Sequence, residues 1–343
     1  MTLIEAVPNI SEGRDNTIIR SIVSSVEDGG SKILGVEPDE DYNRTVITYA
    51  GSSEQVISSS LALVRKAQSL IDMRKHSGGH PRMGAVDVLP FVPLGNSTEE
   101  DAFAVAESCF RQLEGEVSMF KYGSYASLPS RSRLPDLRKG GYEGLKDRFT
   151  GGTWKNEETR MPDSWAGEWD ESCDKFGAMA IGVRPILVAY NVNIEEIEPR
   201  ISSAIGKILR TSGFLVKSES GQKIRIKGML ESVQGMGVKL ETHGISQVSM
   251  NLSNPTKTDV HTAYEAVLSI ARALGAKVNG SEIVGLVPLE SMLKAGLWYN
   301  GEDAPEDILV EQAILGLGLN SLEKFQPESR IIEWALRNID AGE

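Results

Sequence analysis

Residues 72–87 carry a high density of side chains that can exchange protons or bind charged groups. The segment reads Asp-Met-Arg-Lys-His-Ser-Gly-Gly-His-Pro-Arg-Met-Gly-Ala-Val-Asp, and its histidines are two of only four in the chain. Gly78, Gly79 and Pro81 interrupt any helix here, so we expect His80 to lie on a connection. With an ordinary pKa of about 6.5, a histidine can accept and donate protons at neutral pH. His80 is therefore a candidate acid–base group, although the spacing alone fits an ordinary loop histidine equally well.

Two other kinds of site fit parts of this segment less well. His76 and His80 stand four residues apart, as in a helical zinc pair, but the glycines and the proline interrupt that helix and no third ligand follows. The sequence Ser77-Gly78-Gly79 lacks the helix start that a phosphate-binding loop needs. The residues therefore predict a site that holds no metal.

Alternating hydrophobic periodicities predict the elements that position this segment. The first ninety residues have the order β-α-β-β-α-β. A helix over 97–113 follows, with Ser97 and Glu100 in the pattern of a capping box, and then an edge strand over 116–121. From 123 to 177 the periodicity fails, in a stretch with three of the five tryptophans; loops of this length are often functional. The predicted strands are 3–7, 32–37, 44–51 and 85–92, and the predicted helices are 14–26 and 53–71.

The same order recurs in the second half of the chain. It comprises a strand over 178–190 interrupted at Pro185, a helix over 194–211, strands over 229–234 and 247–252, a helix over 258–274, and a strand over 277–286. The predicted fold class is α+β, with two ferredoxin-like (split βαβ) subdomains side by side and a substrate cleft or channel between them. The predicted domains are 1–177, which includes the long loop 123–177, and 178–343.

Composition excludes several classes of protein. The chain has 343 residues and a net charge of −12, which argues against a general nucleic-acid binder. Cys109 and Cys173 form neither a disulfide framework nor a zinc site, as is usual in a reducing compartment. The N-terminus lacks the features of a signal peptide, and no apolar run approaches the roughly 20 residues of a membrane span. We therefore expect a cytoplasmic protein that interacts with neither nucleic acid nor membranes.

The chain contains several extended motifs, of which His80-Pro-Arg-Met-Gly-Ala-x-Asp87 is the most specific. The others are Val7-Pro-Asn-Ile-Ser-Glu-Gly13, Asn43-Arg-Thr-Val-Ile-Thr48, Gly177-Ala-x-Ala-x-Gly-x-Arg184, Gln247-Val-Ser-x-Asn251 and His261-Thr-x-Tyr-Glu265. Together, over about residues 3 to 335, they resemble the glutamate formiminotransferase (formimidoyltransferase) family. In mammals the transferase is fused to a cyclodeaminase, which this chain is too short to contain.

The resemblance implies a reaction and a set of site residues. The family moves a formimino group from N-formiminoglutamate to N5 of tetrahydrofolate in histidine breakdown, with tetrahydrofolate as co-substrate, no metal, and usually a homodimer. Its catalytic histidine corresponds to His80. Supporting acid–base candidates are Glu37, Asp39 and Asp87. The substrate-binding candidates are Asn9, Asn43, Arg44 and Arg82. Folate-binding candidates are Glu168, Trp169, Phe176, Gly177 and Ala178.

Some of these candidates have equally ordinary explanations. Asp39 is more simply a solvated loop carboxylate, and Arg44 fits a structural ion pair as well as a substrate contact. Trp165 and Trp169 fit either stacking on a pterin ring or packing of the long loop. The alternation over 223–227 fits an exposed edge strand better than a contact with a folate glutamate tail.

The chain also departs from the family pattern at two points. Residues 162–177 are acidic and tryptophan-rich where many members read Pro-Asp-Phe-Gly-Pro, and Glu37 replaces a shorter aspartate. These changes keep two alternatives open. One is formyl transfer between 5-formyltetrahydrofolate and glutamate. The other is a non-catalytic folate-binding or regulatory paralogue, which the intact motif at His80 favours less.

Overall fold

A computed structural model describes residues 2–40, 42–79, 81–154, 157–165, 167–218 and 221–340 of the chain. The chain divides into two units, Met1–Arg184 and Pro185–Glu343, and each contains both strands and helices. The predicted α+β class is therefore confirmed. The division falls at Arg184 rather than at residue 177, because the strand that starts at Ala178 pairs within the sheet of the first unit.

The first unit is built on a seven-stranded sheet. Its strands are β1 (Leu3–Ala6), β2 (Asn9–Ile10), β3 (Lys32–Asp39), β4 (Arg44–Gly51), β5 (Val86–Leu94), β6 (Ser118–Gly123) and β7 (Ala178–Val183). Its helices are α1 (Asn16–Asp28), α2 (Ser53–Leu70), α3 (Glu99–Leu113), α4 (Leu134–Leu137), α5 (Leu145–Thr150), α6 (Glu157–Arg160) and α7 (Glu171–Phe176).

The strand order of this sheet is β3, β4, β1 with β2, β5, β7, β6. The first four positions pair antiparallel, whereas β7 runs parallel to both β5 and β6. Helices α1, α2 and α3 cover one face of the sheet over a core that includes Ile22, Leu63 and Phe91. A second, smaller core around Phe120 and Phe149 packs residues of the 123–177 segment against β5, β6 and β7. The long aperiodic segment is therefore largely folded onto the sheet.

The start of α3 differs from the sequence-based prediction by one residue. Thr98, rather than Ser97, is the N-cap, and its hydroxyl accepts a hydrogen bond from the Asp101 backbone N–H at 3.3 Å while Asp101 bonds back to the Thr98 N–H at 2.8 Å. The Ser97 hydroxyl instead accepts from the Leu3 N–H at 2.8 Å. The predicted Ser97–Glu100 capping box is therefore wrong, because Ser97 is used to hold the first strand.

The second unit contains a four-stranded antiparallel sheet of order β11, β12, β8, β13 and a separate hairpin of β9 and β10. Its strands are β8 (Val188–Ile194), β9 (Phe214–Lys217), β10 (Lys223–Ile226), β11 (Val233–Leu240), β12 (Ile245–Leu252) and β13 (Val278–Val284). Its helices are α8 (Arg200–Leu209), α9 (Val260–Ala273), α10 (Leu289–Asn300), α11 (Glu306–Leu317), α12 (Pro327–Arg330) and α13 (Ile332–Asp340).

One sequence-based strand is divided in two, and the exposed edge strand expected near 223–227 is confirmed. The strand predicted over 178–190 is two strands, β7 and β8, in different sheets, because Pro185 has no N–H with which to continue a ladder. The alternating residues near 223–227 form β10, which is exposed along its whole length and pairs with β9. Within the described part of the chain, no helix combines the length and the apolar character needed to cross a membrane.

Candidate active site

Three connections meet beside the segment that leads to His80, and Asn43 joins them. The Asn43 side chain accepts a hydrogen bond from the Gly13 N–H at 3.0 Å and donates one to the Ser77 carbonyl at 3.0 Å. Its own carbonyl lies 2.8 Å from Nε2 of His76. Asn43 is buried and has a φ of +49°, a left-handed conformation that asparagine tolerates better than most residues. The β2–α1 connection, the β3–β4 turn and residues 76–77 are thereby fixed relative to one another.

His80 itself lies outside the residues that the structure describes. The glycines that precede it are packed against the β3–β4 turn: a Cβ on Gly78 would lie 2.3 Å from the Tyr42 carbonyl oxygen, and one on Gly79 would lie 3.5 Å from the Tyr42 ring. Position 78 therefore requires glycine because the Tyr42 backbone leaves no room for a side chain. Glycine here also interrupts the helix.

His76 is a neutral histidine held by two hydrogen bonds. Arg82 Nε donates to its Nδ1 at 3.1 Å, so the ring proton must be on Nε2, which donates to the Asn43 carbonyl. Burial lowers the pKa of His76, and the neighbouring Arg82 cation acts in the same direction. Because both ring nitrogens are occupied, His76 is not available as a metal ligand in this arrangement.

The guanidinium of Arg82 is paired with a residue of the long segment. Its two terminal nitrogens donate to the carboxylate of Glu143 at 3.0 and 2.6 Å, in bidentate geometry. The Arg82 side chain is 11% exposed and that of Glu143 is 64% exposed, and the pairing lowers the pKa of Glu143. Arg82 therefore already binds a carboxylate, and that carboxylate lies largely in solvent.

Asp87 is buried at the start of β5 and is fully engaged. One carboxylate oxygen accepts from the Met83 N–H at 2.9 Å, and the other pairs with Arg138. Burial raises the pKa of Asp87, while the Arg138 cation opposes that rise. In this structure Asp87 fixes the residues that follow His80, since it holds Met83 directly.

The residues predicted to contact folate are joined to the same loop by backbone hydrogen bonds. The Ala85 N–H donates to the Phe176 carbonyl at 2.7 Å, and the Ala178 N–H donates to the Met83 carbonyl at 3.0 Å. Gly177 has a φ of +79°, and a Cβ there would lie 2.2 Å from the Met83 oxygen. We call this pairing of residues 83–85 with residues 176–178 the loop junction. It brings two segments together that stand ninety residues apart in the sequence.

Side chains of the predicted folate segment occupy different environments. Phe176 and Ala178 are completely buried in the two cores of the first unit. Trp169 is half-buried, packs edge-on against Phe149 at 5.3 Å, and donates from Nε1 to Asp174 at 2.6 Å. Glu168 is exposed, and its backbone carbonyl accepts from Trp165 at 3.1 Å. Trp165 also packs on Phe149 at 5.3 Å, so both tryptophans fill the second core.

The remaining predicted residues lie on or beside the sheet face opposite α1 and α2. Glu37 is paired across the strands with Val46, and Val46 is paired with Asn9, so Glu37 and Asn9 share that face. The Asn9 side-chain oxygen is buried and accepts no hydrogen bond from a described residue. Asp39 caps the turn by accepting from the Tyr42 N–H at 2.9 Å, and the Arg44 guanidinium lies 5.4 Å from the Tyr42 ring centre. Asn9 therefore presents an unused buried acceptor on this face.

Sequence reasoning missed Arg138 and Glu143. Both contact predicted site residues, yet they lie in the segment whose pattern could not be assigned to helix or strand. Their partners are 51 and 61 residues away, and no local spacing signals contacts of that range. The one sequence signal that could have pointed to them is the high density of charged residues in this segment.

The family models define the class of the chain. Residues 3–184 match the N-terminal subdomain of the formiminotransferase domain, and residues 189–337 match the formiminotransferase domain. Both models describe parts of one kind of transferase. The chain belongs to the formiminotransferase domain family, and the resemblance inferred from the motifs is confirmed.

Curated relatives cover the chain almost completely. It is 37% identical to the formimidoyltransferase-cyclodeaminase of Dictyostelium discoideum over 98% of its own length and 60% of that protein. It is 36% identical to the glutamate formimidoyltransferase of Thermoplasma acidophilum over 88% of its own length and 95% of the relative. For the glutamate formimidoyltransferase of Streptococcus pyogenes serotype M1 the identity is 31%, over 87% and 93%. The chain thus spans about 60% of the bifunctional relative and nearly all of the shorter ones.

Proposed function

We propose that the protein transfers the formimino group of N-formiminoglutamate to N5 of tetrahydrofolate, giving 5-formiminotetrahydrofolate and glutamate. Tetrahydrofolate is a co-substrate in this reaction, and no metal takes part. Two relatives named glutamate formimidoyltransferase, matched over more than nine-tenths of their own length, support this choice. From the composition and from what the family resemblance implies, we also propose a cytoplasmic homodimer that acts in histidine breakdown.

The loop junction is the observation that carries the proposal. It joins the residues just after His80 to the segment assigned to folate, by two backbone hydrogen bonds and a close approach of Gly84 to Gly177. A group transfer needs the acid–base residue and the acceptor within reach of each other. In this proposal, a folate bound along residues 168–178 lies on the chain segment that adjoins the His80 motif.

His80 is proposed to carry the proton that the reaction moves between the two nitrogens. N5 of tetrahydrofolate attacks the formimino carbon, and a tetrahedral intermediate forms. His80 accepts the proton that N5 loses and then donates it to the glutamate nitrogen as the bond from carbon to that nitrogen breaks. Positioned acid–base groups contribute roughly 100- to 10,000-fold to such steps. Glu37, Asp39 and Asp87 support this step in our proposal, and Asp87 does so by fixing Met83.

Arg82 is proposed to bind a carboxylate of the substrate. Its bidentate partner in this structure is the largely exposed Glu143, which an incoming carboxylate can replace without uncovering a buried charge. Asn43 holds the loop in register, Asn9 offers its free oxygen to a donor of the substrate, and Arg44 supplies further positive charge. These side chains together are proposed to orient the glutamate part of the donor.

Each unit is proposed to be a split βαβ unit. The first pairs its strands in the order β3, β4, β1, β5, and the second pairs β11, β12, β8, β13. If the four strands of each β-α-β-β-α-β succession are counted along the chain, their order across the sheet is second, third, first, fourth in both units. The identical order supports an architectural repeat.

An assay with alternative donors tests the function. Purified protein is incubated with tetrahydrofolate and N-formiminoglutamate, and 5-formiminotetrahydrofolate is followed by its absorbance. A parallel reaction contains 5-formyltetrahydrofolate and glutamate. We expect the formimino product in the first reaction and a much slower second one. If only the second reaction gives product, the protein is a formyltransferase and the proposed function is wrong. If the protein binds folate but transfers neither group, it is a folate-binding protein.

A further inference from the structure

One face of the second sheet is polar, and two of its amide side chains, Asn193 and Gln247, are nonetheless buried. Helices α8 and α9 cover the opposite face, over a core that includes Tyr190, Val248 and Ile283. Side chains alternate between faces along a strand, so the residues between these core positions share the other face. Cross-strand register places Asn191 beside both Ser249 and Glu282, and Asn193 beside Gln247. This surface, which we call the amide face, consists of Asn191, Asn193, Gln247, Ser249 and Glu282.

The amide face is ordered by a chain of hydrogen bonds. Asn193 is completely buried and donates to the Ser321 hydroxyl at 3.0 Å. Gln247, 4% exposed, donates from its nitrogen to the Asn193 oxygen at 2.9 Å and to Oε2 of Glu282 at 3.2 Å. Asn191 donates to the same Glu282 oxygen at 3.4 Å. The side-chain nitrogens of Asn193 and Gln247 are both engaged, and the Glu282 carboxylate is held in one orientation.

Glu282 has no cationic partner within 4 Å among the described residues, and its Oε1 accepts no hydrogen bond from any of them. Its side chain is partly exposed, whereas its Gln247 and Asn193 neighbours are buried. Because the Asn191 nitrogen is turned towards Glu282, the Asn191 oxygen and Glu282 Oε1 remain as acceptors on the same surface. A partly desolvated carboxylate without a counter-charge is complementary to a ligand that brings N–H donors.

We propose that Glu282 and Asn191 bind a planar group that carries two neighbouring N–H donors, one to each acceptor. Amidines and the amino-pyrimidinone edge of a pterin have this pattern. Both occur in the reaction proposed above, in the formimino group and in the folate ring, so this inference rests on that proposed function. Glu282 is a substrate-binding residue in this account, and Gln247 and Asn193 are positioning residues that act through it.

Binding measurements on Glu282→Gln distinguish the two ligands. The probes are 5-formyltetrahydrofolate and N-formiminoglutamate, with p-aminobenzoylglutamate and glutamate as analogues that lack the N–H-bearing group. Loss of a charge-assisted hydrogen bond weakens binding about 10- to 100-fold. If Glu282 holds the ring, only 5-formyltetrahydrofolate loses affinity; if it holds the formimino group, only N-formiminoglutamate does. Unchanged affinity for both overturns the inference.

Matched variants separate binding from folding. Glu195→Gln removes an exposed carboxylate just beyond the end of β8, beside Lys277, and should leave both affinities unchanged. Glu282→Asp keeps the charge but withdraws it by one methylene, so it should bind with intermediate affinity. Thermal unfolding of every variant verifies the fold. If Glu282→Gln does not fold, the same binding measurements are made on Asn191→Ser. Wild-type affinity of Asn191→Ser for both probes would then reject the inference.

The two proposals fail in different ways. If the wild type transfers formimino groups and Glu282→Gln has wild-type affinities, the proposed function stands and the amide face has no part in binding. A wild type that transfers no group, together with a ring-specific loss of affinity in Glu282→Gln, supports the amide face and rejects the proposed function. Failure of the wild type to bind either probe rejects both.

Discussion

Asn43 shows how a single uncharged residue can set the geometry of a charged site. Its side chain and carbonyl hold Gly13, His76 and Ser77 at once, and its left-handed backbone turns β3 into β4. The motif at 43–48 marked this asparagine as a substrate-binding candidate. Its three contacts could not be read from the sequence, because they join residues about 30 positions away on either side.

Paired substitutions at position 43 separate backbone strain from hydrogen bonding. Asn43→Ala removes two side-chain hydrogen bonds and forces alanine into a left-handed conformation, so we expect a loss of about 2–4 kcal/mol in the free energy of unfolding. Asn43→Gly loses the bonds but not the backbone fit, and should cost about 1 kcal/mol less. Urea unfolding measures both. Equal losses would show that the left-handed turn contributes no strain.

The Arg82–Glu143 pair gives a prediction about substrate affinity. Glu143→Gln removes the carboxylate that competes for the Arg82 guanidinium, so the KM for N-formiminoglutamate should fall about 3-fold or more, as expected for about 0.7 kcal/mol of released competition. The matched control is Glu116→Gln, which breaks another two-bonded arginine–glutamate pair, with Arg65. Steady-state kinetics measure both variants. A raised KM in Glu143→Gln would show that Glu143 orients Arg82 for substrate instead of competing with it.

At the scale of elements, the loop junction depends on the parallel pairing of β7 with β5, two strands that the long 123–177 segment separates in the sequence. Periodicity predicted β5, the start of β7 and the edge strand β6, because each signal is local. It did not predict that β7 would lie between β5 and β6, since pairing partners leave no trace in the spacing of one strand. For the same reason the domain boundary was placed before β7 rather than after it.

Of the residues at the loop junction, Gly177 should be the one where an added methyl group lowers the stability of the fold most. Gly177→Ala places Cβ against the Met83 carbonyl, and we expect a loss of at least about 3 kcal/mol in the free energy of unfolding. Gly95→Ala is the matched control, because Gly95 also has a positive φ, +57°, but nothing lies within 4 Å of the added atom. That variant should lose about 1 kcal/mol. Chemical denaturation compares them, and similar losses would mean that the junction tolerates the extra atom.

At the scale of the whole molecule, the two units share a strand order without an evident residue-level repeat. Local periodicities predicted the succession of strands and helices in each unit, whereas the order of the strands within each sheet depends on pairing that periodicity does not encode. The β9–β10 hairpin and the four C-terminal helices are additions to the second unit, and the repeat pattern did not include them.

The proposed homodimer is testable on the intact chain. Sedimentation equilibrium of the purified protein should give a mass of twice 37.3 kDa. Neither unit needs to be isolated for this measurement, and the net charge of −12 makes moderate salt advisable so that repulsion between molecules does not distort the profile. A mass of one chain under conditions of full activity would contradict the dimer.

The central claim is that His80 moves the proton in a formimino transfer. Its most direct test is single-turnover formation of 5-formiminotetrahydrofolate by His80→Asn, with 5-formyltetrahydrofolate affinity measured on the same sample. His243→Asn, which changes an exposed histidine of the second unit, is the control. We predict a rate at least about 100-fold below wild type for His80→Asn, with folate affinity retained and the control unaffected. A rate within a few-fold of wild type would contradict the account.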